Sequence, residues 1–390
     1  MIFCLNSGSS SLKFALYRVN RQEEILLAEG AVERIGLPTA CLWIRTPQAK
    51  FEVEDKDLSL PSAALQEVFS ELERLDLPPL EAIGHRLVHG GPSHSTPERI
   101  TKALMDELRE LVPFAPLHLP DEIAGIEAVT DRSASLPQVA CFDTAFHRRM
   151  PELTQRFALP EALWEEGIRR YGFHGISYEY IMRTLGSRAP SRIIIAHLGN
   201  GGSMAAVKDG NPLDTTMGFT PAGGFMMGTR SGDLDPGIAL YLLNERHFDG
   251  ERLAKLVNHQ SGLLGVSSMS SDMKTLLEQR EKEPRAALAV EMFCYQLRKH
   301  IGALTAALGG LDLLVFTGGI GERAAPVRWE ACHGLERIGI KLDARRNDTS
   351  ADTISADDSP CIVRVIPTHE SMMIARHAYH VIFAALREAC

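Results

Sequence analysis

The alternation of apolar and polar positions in the first twenty residues predicts a hairpin. Residues 2–5 form a short apolar run that breaks into Asn6-Ser7-Gly8-Ser9-Ser10-Ser11, after which residues 12–17 alternate with a period of two. The same device returns far downstream, where residues 193–196 run into His197-Leu198-Gly199-Asn200-Gly201-Gly202-Ser203 and then into the apolar residues 204–207. A second pair of segments also matches. Residues 82–89 read as a strand ending in Gly90-Gly91, and residues 311–316 as a strand ending in Thr317-Gly318-Gly319-Ile320-Gly321. Two pairs in the same order predict an internal duplication, each half carrying a mixed sheet. Helical stripes separate these strands. Leu65, Val68, Phe69, Leu72 and Leu75 share one face over residues 62–75, and Val290, Phe293, Cys294, Leu297, Ile301, Leu304 and Leu308 share one over residues 286–308. Gly309-Gly310 stands where a helix-ending glycine belongs, and a last helix is predicted over about residues 371–387. Strands alternating with helices predict an α/β fold.

Length adds a second domain. At 390 residues the chain exceeds what one hydrophobic core usually supports. The expected boundary is a crossover near residues 146–150, with the final helix returning to the first half: one domain of residues 1–147 plus 372–390, and one of residues 148–371. A net charge of −9 argues against nucleic-acid and anionic-membrane partners, because neutralising phosphates needs a basic patch. An anionic substrate must then be met by a few local cations. The seven cysteines are scattered and lack a Cys-x-x-Cys pair, which fits reduced thiols. With no window near the roughly 20 apolar residues of a membrane helix, the expected location is the cytoplasm.

Candidate chemistry begins at the first hairpin. Its small tip lets backbone N–H groups approach an anion, hydroxyls such as Ser9 and Ser11 add donors, and Lys13 adds a cation. It is not a P-loop, since the chain continues into a strand instead of opening a helix. A plain polar hairpin with an exposed lysine is the competing reading. At Gly84-His85-Arg86-Leu87-Val88-His89-Gly90-Gly91 a metal site fails on geometry, because four strand residues separate the two imidazoles by about 13 Å. Arg86 and Val88 would instead share a face, a bidentate guanidinium beside an apolar wall, as a short carboxylate needs. A structural ion pair for Arg86 is the alternative. Polar residues also gather at Phe142-Asp143-Thr144-Ala145-Phe146-His147, at Tyr171-Gly172-Phe173-His174-Gly175, and from Met227 through Arg230 to Pro236. Thr317-Gly318-Gly319-Ile320-Gly321-Glu322 leaves a strand toward a helix expected at Ala324, bringing backbone close to a nucleotide without the dinucleotide fingerprint.

Taken together and in order, these segments resemble the acetate kinase family. The resemblance runs through Asn-Ser-Gly-Ser-Ser-Ser-Leu-Lys at 6–13, His-Arg-Leu-Val-His-Gly-Gly at 85–91, Ala-Pro-Leu-His at 115–118 and Phe-Asp-Thr-Ala-Phe-His at 142–147. It continues with Tyr-Gly-Phe-His-Gly at 171–175, His-Leu-Gly-Asn-Gly at 197–201, Met-Gly-Phe-Thr-Pro at 217–221, Met-Gly-Thr-Arg-Ser-Gly-Asp at 227–233, Gly-Gly-Ile-Gly-Glu at 318–322 and Ile-Pro-Thr-His-Glu at 366–370. It implies two duplicated actin/ribonuclease-H-like domains around a nucleotide cleft, a homodimer, and transfer of the ATP γ-phosphoryl group to acetate. By the same resemblance Asn6 and Glu370 hold Mg²⁺ or Mn²⁺, Lys13, Ser9 and Ser11 meet nucleotide phosphates, and Arg86 binds the carboxylate. Asp143 is the essential carboxylate, with His174 and Arg230 on the transferring phosphoryl group. Val88, Leu117, His118, Phe173 and Pro221 surround the substrate. His197, Leu198, Gly199, Asn200 and Gly201, then Asp272, Met273 and Lys274, then Gly319, Ile320, Gly321, Glu322 and Arg323 hold ATP or ADP. Leu119, Gly202, Ala222-Gly223, Lys274, Arg323 and His369 depart from the family pattern. Propionate or butyrate as acceptor, a sugar or alcohol kinase on the same fold, and a non-catalytic ATP-binding switch are the competing readings.

Overall fold

A computed structural model describes residues 1–8, 11–37, 39–53, 58–75 and 77–384. The chain divides into two compact units, Met1–Phe146 joined by the residues from His369 onward, and His147–Thr368.

The first unit is built on an eight-stranded sheet. Its strands in chain order are β1 (Ile2–Ser7), β2 (Ser11–Val19), β3 (Glu24–Glu33), β4 (Cys41–Arg45), β5 (Lys50–Val53), β6 (Ala82–Leu87), β7 (Glu98–Arg99) and β8 (Gln138–Phe142). They lie in the order β5-β4-β3-β2-β1-β6-β8-β7. β1 and β2 pair antiparallel with Asn6 opposite Lys13, while β1, β6 and β8 run parallel. Phe3 and Ile83 point to one face, where the helices Pro61–Glu73 and Leu119–Arg132 bring Leu65, Val68, Phe69, Leu72 and Val129. Burying each of these side chains stabilises the unit by about 1.5–3 kcal/mol. Gly84 points to the opposite face and has no side chain because Ile374 of the last helix, Glu370–Tyr379, occupies that space.

The second unit repeats the plan in five strands: β9 (Arg192–Leu198), β10 (Gly202–Lys208), β11 (Asn211–Thr215), β12 (Leu313–Thr317) and β13 (Ile362–Val365), in the order β11-β10-β9-β12-β13. The core of the first sheet, β3-β2-β1-β6-β8, has the same connectivity and the same parallel central pair. The fold is thus α/β, with two mixed sheets that repeat one strand order, as the paired segments predicted. The helix Pro284–Leu308 starts at a proline and ends at Gly309 in the left-handed region, and it packs Phe293, Leu297 and Ile301 over Ile194, Met204 and Leu314.

Three expectations needed correction. The strand expected over residues 82–89 ends at Leu87, because the Val88 N–H leaves the ladder for the carboxylate of Glu122. The helix expected at Ala324 is present at Ala325–Cys332, but the glycine segment before it was not expected to be helical: Gly318–Arg323 forms a turn of its own, closed by the Gly318 N–H donating to Glu322 Oε1 at 3.0 Å. The final helix passes into a π-helical turn at His380–Ala384, and the rest of its expected length lies outside the described residues.

A Cβ on Gly84 would stand 2.5 Å from Ile374 Cγ2. Gly84→Val is therefore expected to lower unfolding stability by about 1–3 kcal/mol through overpacking, read as a lower urea midpoint, with recovery on adding Ile374→Ala.

Candidate active site

In the first unit the parallel strands deliver polar side chains to one edge. β1, β6 and β8 lie side by side, so their carboxyl ends bring Asn6, Arg86 and the residue after Phe142, Asp143, together. Arg86 grips Asp143 with two donors, Nε to Oδ1 at 3.2 Å and Nη2 to Oδ2, and its Nη1 donates to Asn6 Oδ1 at 3.2 Å. Asp143 is 1% exposed and its own N–H donates to Leu87 O, which fixes the carboxylate from behind. Burial disfavours the Arg86 charge, but Asp143 first, then Glu370 and Glu122, outweigh that and hold its pKa above the ordinary guanidinium value. The arginine is a permanent cation here. His85, one residue earlier, faces the other way onto Gln138 at 2.7 Å, and burial lowers its pKa to about 4, so it is a neutral structural group.

Around this cluster Val88 is buried, His118 half-buried and Leu117 exposed. Lys13 is exposed and stands across the hairpin from Asn6, with Ser11 half-buried beside the tip; Ser9 lies outside the described residues. Glu370 opens the last helix and is half-buried. An amide oxygen and a carboxylate are hard donors of the kind Mg²⁺ takes, and a two-residue set suits an ion that keeps waters and phosphate oxygens as its other ligands. Among the described residues no group of three or more His, Cys, Asp and Glu is arranged to hold a metal alone.

The second unit gathers the other predicted residues. His174 sits in the left-handed region, with φ 58°, as the cap of the helix Gly175–Leu185. Its Nδ1 lies 2.8 Å from Ser203 Oγ, and its ring stacks on His197 with centroids 4.3 Å apart. His197 is anchored in the same way, Nδ1 to Ser177 Oγ at 2.8 Å. Arg230 donates through Nη1 to Pro221 O at 3.2 Å. A methyl group placed on Gly201 would stand 3.3 Å from Arg230 Nη1 and 3.6 Å from His174 Nε2, so glycine, histidine and guanidinium converge on one small space. Asn200 is close by: a Cβ on Gly228 would meet its Oδ1 at 2.0 Å. Two donors with fixed orientation beside bare backbone form an anion-receiving group.

Around the glycine turn, Gly318 has φ +77° and a Cβ there would press on Leu198 O at 2.8 Å, so only glycine lets the turn sit on β9. Gly319 and Arg323 are exposed, Ile320 and Glu322 half-buried and Gly321 buried. Glu322 also accepts from the Thr368 N–H at 3.2 Å. Leu198 and Met273 bury their side chains in the core, so only their main chains, with Gly199, can face a ligand. Asp272 uses its carboxylate to cap the helix Met273–Gln279, and Lys274 is exposed. Phe173 is buried, its carbonyl 3.2 Å from His147 Nε2.

Sequence reasoning missed three anchors. Ser203 ties His174 and the Tyr178 hydroxyl together. Arg328, fully buried, donates to Gly321 O at 2.9 Å, Glu322 O at 3.0 Å, Asn347 Oδ1 at 2.9 Å and Asn347 O at 2.8 Å, and burial lowers its pKa to about 10. Glu122 accepts the Val88 N–H. Its signal was readable: it falls on the apolar stripe Leu119, Ile123, Ile126, Val129, where an acid is out of place.

Arg328→Met would strip the Gly321 and Glu322 carbonyls of their donor and should lower stability by about 3–5 kcal/mol in urea unfolding, with Arg328→Lys restoring only part.

Comparison with known proteins identifies the family. The Acetokinase family profile matches residues 1–376. An acetate kinase of Rhodopseudomonas palustris is 42% identical over 97% of this chain and 98% of its own, and one of Clostridium novyi is 39% identical over 98% of each. The crystal structure of Porphyromonas gingivalis acetate kinase superposes with TM-score 0.86 at 38% identity, covering 98% of this chain and 99% of its own. That of a propionate kinase from Francisella tularensis superposes with TM-score 0.92 at 35% identity, with the same coverage. Matched from end to end in sequence and in fold, the chain belongs to the acetokinase family and is a kinase.

Proposed function

We propose that the chain moves the γ-phosphoryl group of ATP directly onto acetate, giving acetyl phosphate and ADP, and that the reaction is reversible. The observation that carries this reading is Arg86, a half-buried permanent cation held by Asp143 and Asn6 at the strand ends, close in sequence to buried, apolar Val88. A carboxylate acceptor is already ionised at neutral pH, so it needs orientation and charge neutralisation more than a base. Asp143 is committed to Arg86 by two hydrogen bonds, which suits a carboxylate that aims a cation and not one that shuttles a proton. A sugar or alcohol acceptor would require such a base.

In this reading Arg86 takes the substrate oxygens, and Val88, Leu117, His118, Phe173 and Pro221 surround its alkyl end. His174 and Arg230 donate to the oxygens of the transferring phosphoryl group; each preorganised donor of this kind is worth about 3–4 kcal/mol of transition-state stabilisation. Lys13, Ser9 and Ser11 meet phosphates, and Asn200, Gly201, the residues around Asp272 and the Gly318–Arg323 turn receive the nucleotide. The first unit is then the acceptor-binding domain and the second the nucleotide-binding and dimerisation domain. Asn6 and Glu370 would hold Mg²⁺, or Mn²⁺ in its place, which supplies charge neutralisation on the ATP phosphates. The propionate kinase neighbour favours propionate as a second acceptor, because one methylene in an apolar pocket is worth only about 1–3 kcal/mol; butyrate is the next candidate.

We further propose a cytoplasmic homodimer. The helix Pro236–Asn244 has no buried residue and exposes Ile238, Leu240 and Tyr241, an apolar face on the second unit that a twin copy would cover. No described helix is long and apolar enough to cross a membrane.

Purified protein with Mg²⁺–ATP should form trappable hydroxamate from acetate and propionate, with turnover at least about 100-fold lower in Arg86→Ala; ATP binding without hydroxamate from any short acid would overturn the reading. Leu240→Glu should convert a dimer into a monomer in sedimentation velocity, and a wild-type monomer would refute the proposed assembly.

A further inference from the structure

We propose that Glu122 is a positioning residue that sets the affinity for the carboxylate substrate, acting through Val88 and Arg86 as a buried acid whose charge competes with that of the substrate. This rests on the reading of Arg86 as the carboxylate-binding group.

Three features of the geometry carry it. Glu122 enters the cluster from the first turn of the helix Leu119–Arg132, on the stripe that packs into the core, and is 2% exposed. Both its oxygens accept the Val88 N–H, at 3.2 and 3.1 Å, so the acid is seated directly behind the residue that follows β6. The charged groups acting on it are Arg86 from β6, Asp143 from the end of β8 and Asp121 from its own helix, while Glu370 from the last helix acts on Arg86. The guanidinium is hydrogen-bonded to Asp143 and lies in the field of Glu370 and Glu122, and a substrate carboxylate would add a fourth negative charge. If Glu122 served only to end the strand, an amide oxygen would do as well.

The charge of Glu122 follows from its surroundings. Burial raises its pKa to about 8 against the opposing pull of Arg86 and the Val88 N–H, with Asp143 and Asp121 adding to the rise. Near neutral pH the residue keeps its proton and leaves Arg86 to the substrate. As pH passes about 8 it becomes an anion and repels the incoming carboxylate. Binding weakens while the subsequent transfer is less affected, so KM should move more than kcat. A stability effect runs alongside. Folding holds the proton beyond the ordinary carboxylate range, so this contribution is complete below about pH 4.5 and is lost as pH rises through about 8.

The test compares wild type with Glu122→Gln, measuring kcat and KM for acetate from about pH 7 to about pH 9, and thermal unfolding from about pH 5 to about pH 9. Wild-type KM should rise about threefold to tenfold across the upper range and that of Glu122→Gln should stay level, with KM for Mg²⁺–ATP parallel in the two proteins. The Tm advantage of Glu122→Gln should widen from pH 5 to 8 and then level off. Identical KM profiles, or a Tm difference that does not change with pH, would overturn the inference. Should Glu122→Gln not fold, Glu122→Asp replaces it: a midpoint of the KM rise that shifts supports the proposal, and one that stays in place refutes it. Failure of both proteins to phosphorylate any carboxylate would bring down the reading of the reaction itself, and the inference with it; turnover with a pH-independent wild-type KM would bring down the inference alone.

Discussion

A buried carboxylate has to be neutralised, and in the first unit the pairing of Asp143 with half-buried Arg86 organises the edge of the sheet. Arg86 stands at the end of a parallel strand with Asp143 gripping it from the next strand and Asn6 from the previous one. Removing either charge of such a pair leaves the other stranded in a poor solvent, at a cost of several kcal/mol, so the three strand ends are held in mutual register by one ion pair. The same pair holds the guanidinium in a fixed place and orientation. Preorganisation of this kind is what a small ligand with few contacts requires, since it cannot supply the energy to order its own site.

The second unit orients its polar cluster through hydroxyl and carbonyl oxygens. Two histidines stack ring on ring, and each is tied at Nδ1 to a serine hydroxyl, which fixes both rotamers. Arg230 donates through Nη1 to the carbonyl of Pro221. The contrast is one of chemistry: a guanidinium paired with a carboxylate in the first unit, and histidines and an arginine oriented by hydroxyl and carbonyl oxygens in the second. Arg328 extends the logic one layer outward. Its donors go to the carbonyls of the glycine turn, so that turn is stiffened by a buried side chain from the helix that follows it.

Duplication explains why one local pattern recurs with different content. Both sheets place an antiparallel hairpin beside two parallel strands, and in both the hairpin tip and the parallel strand ends carry the small and polar residues. The backbone geometry is what repeats. The charges were fitted separately to each copy.

The sequence alone determined the elements whose signals are local. The hairpins at residues 6–11 and 197–203, the helix Pro284–Leu308 with its terminal glycine, and the order of the polar segments were all legible, because alternation, helical stripes and glycine placement act over a few residues. Arg86 could be singled out with Val88, but that Asp143, 57 residues away, pairs with it and that Asn6 stands on its other side was not readable from the segment. Tertiary structure decided the rest. It ended β6 at Leu87 because a glutamate from another helix takes the next N–H, turned the glycine segment into a helical turn capped by Glu322, and buried Arg328 among carbonyls. Each of these is a hydrogen bond whose partner is supplied by a different element or turn, and a periodic pattern in one segment has no means of encoding where another segment's donors and acceptors will arrive.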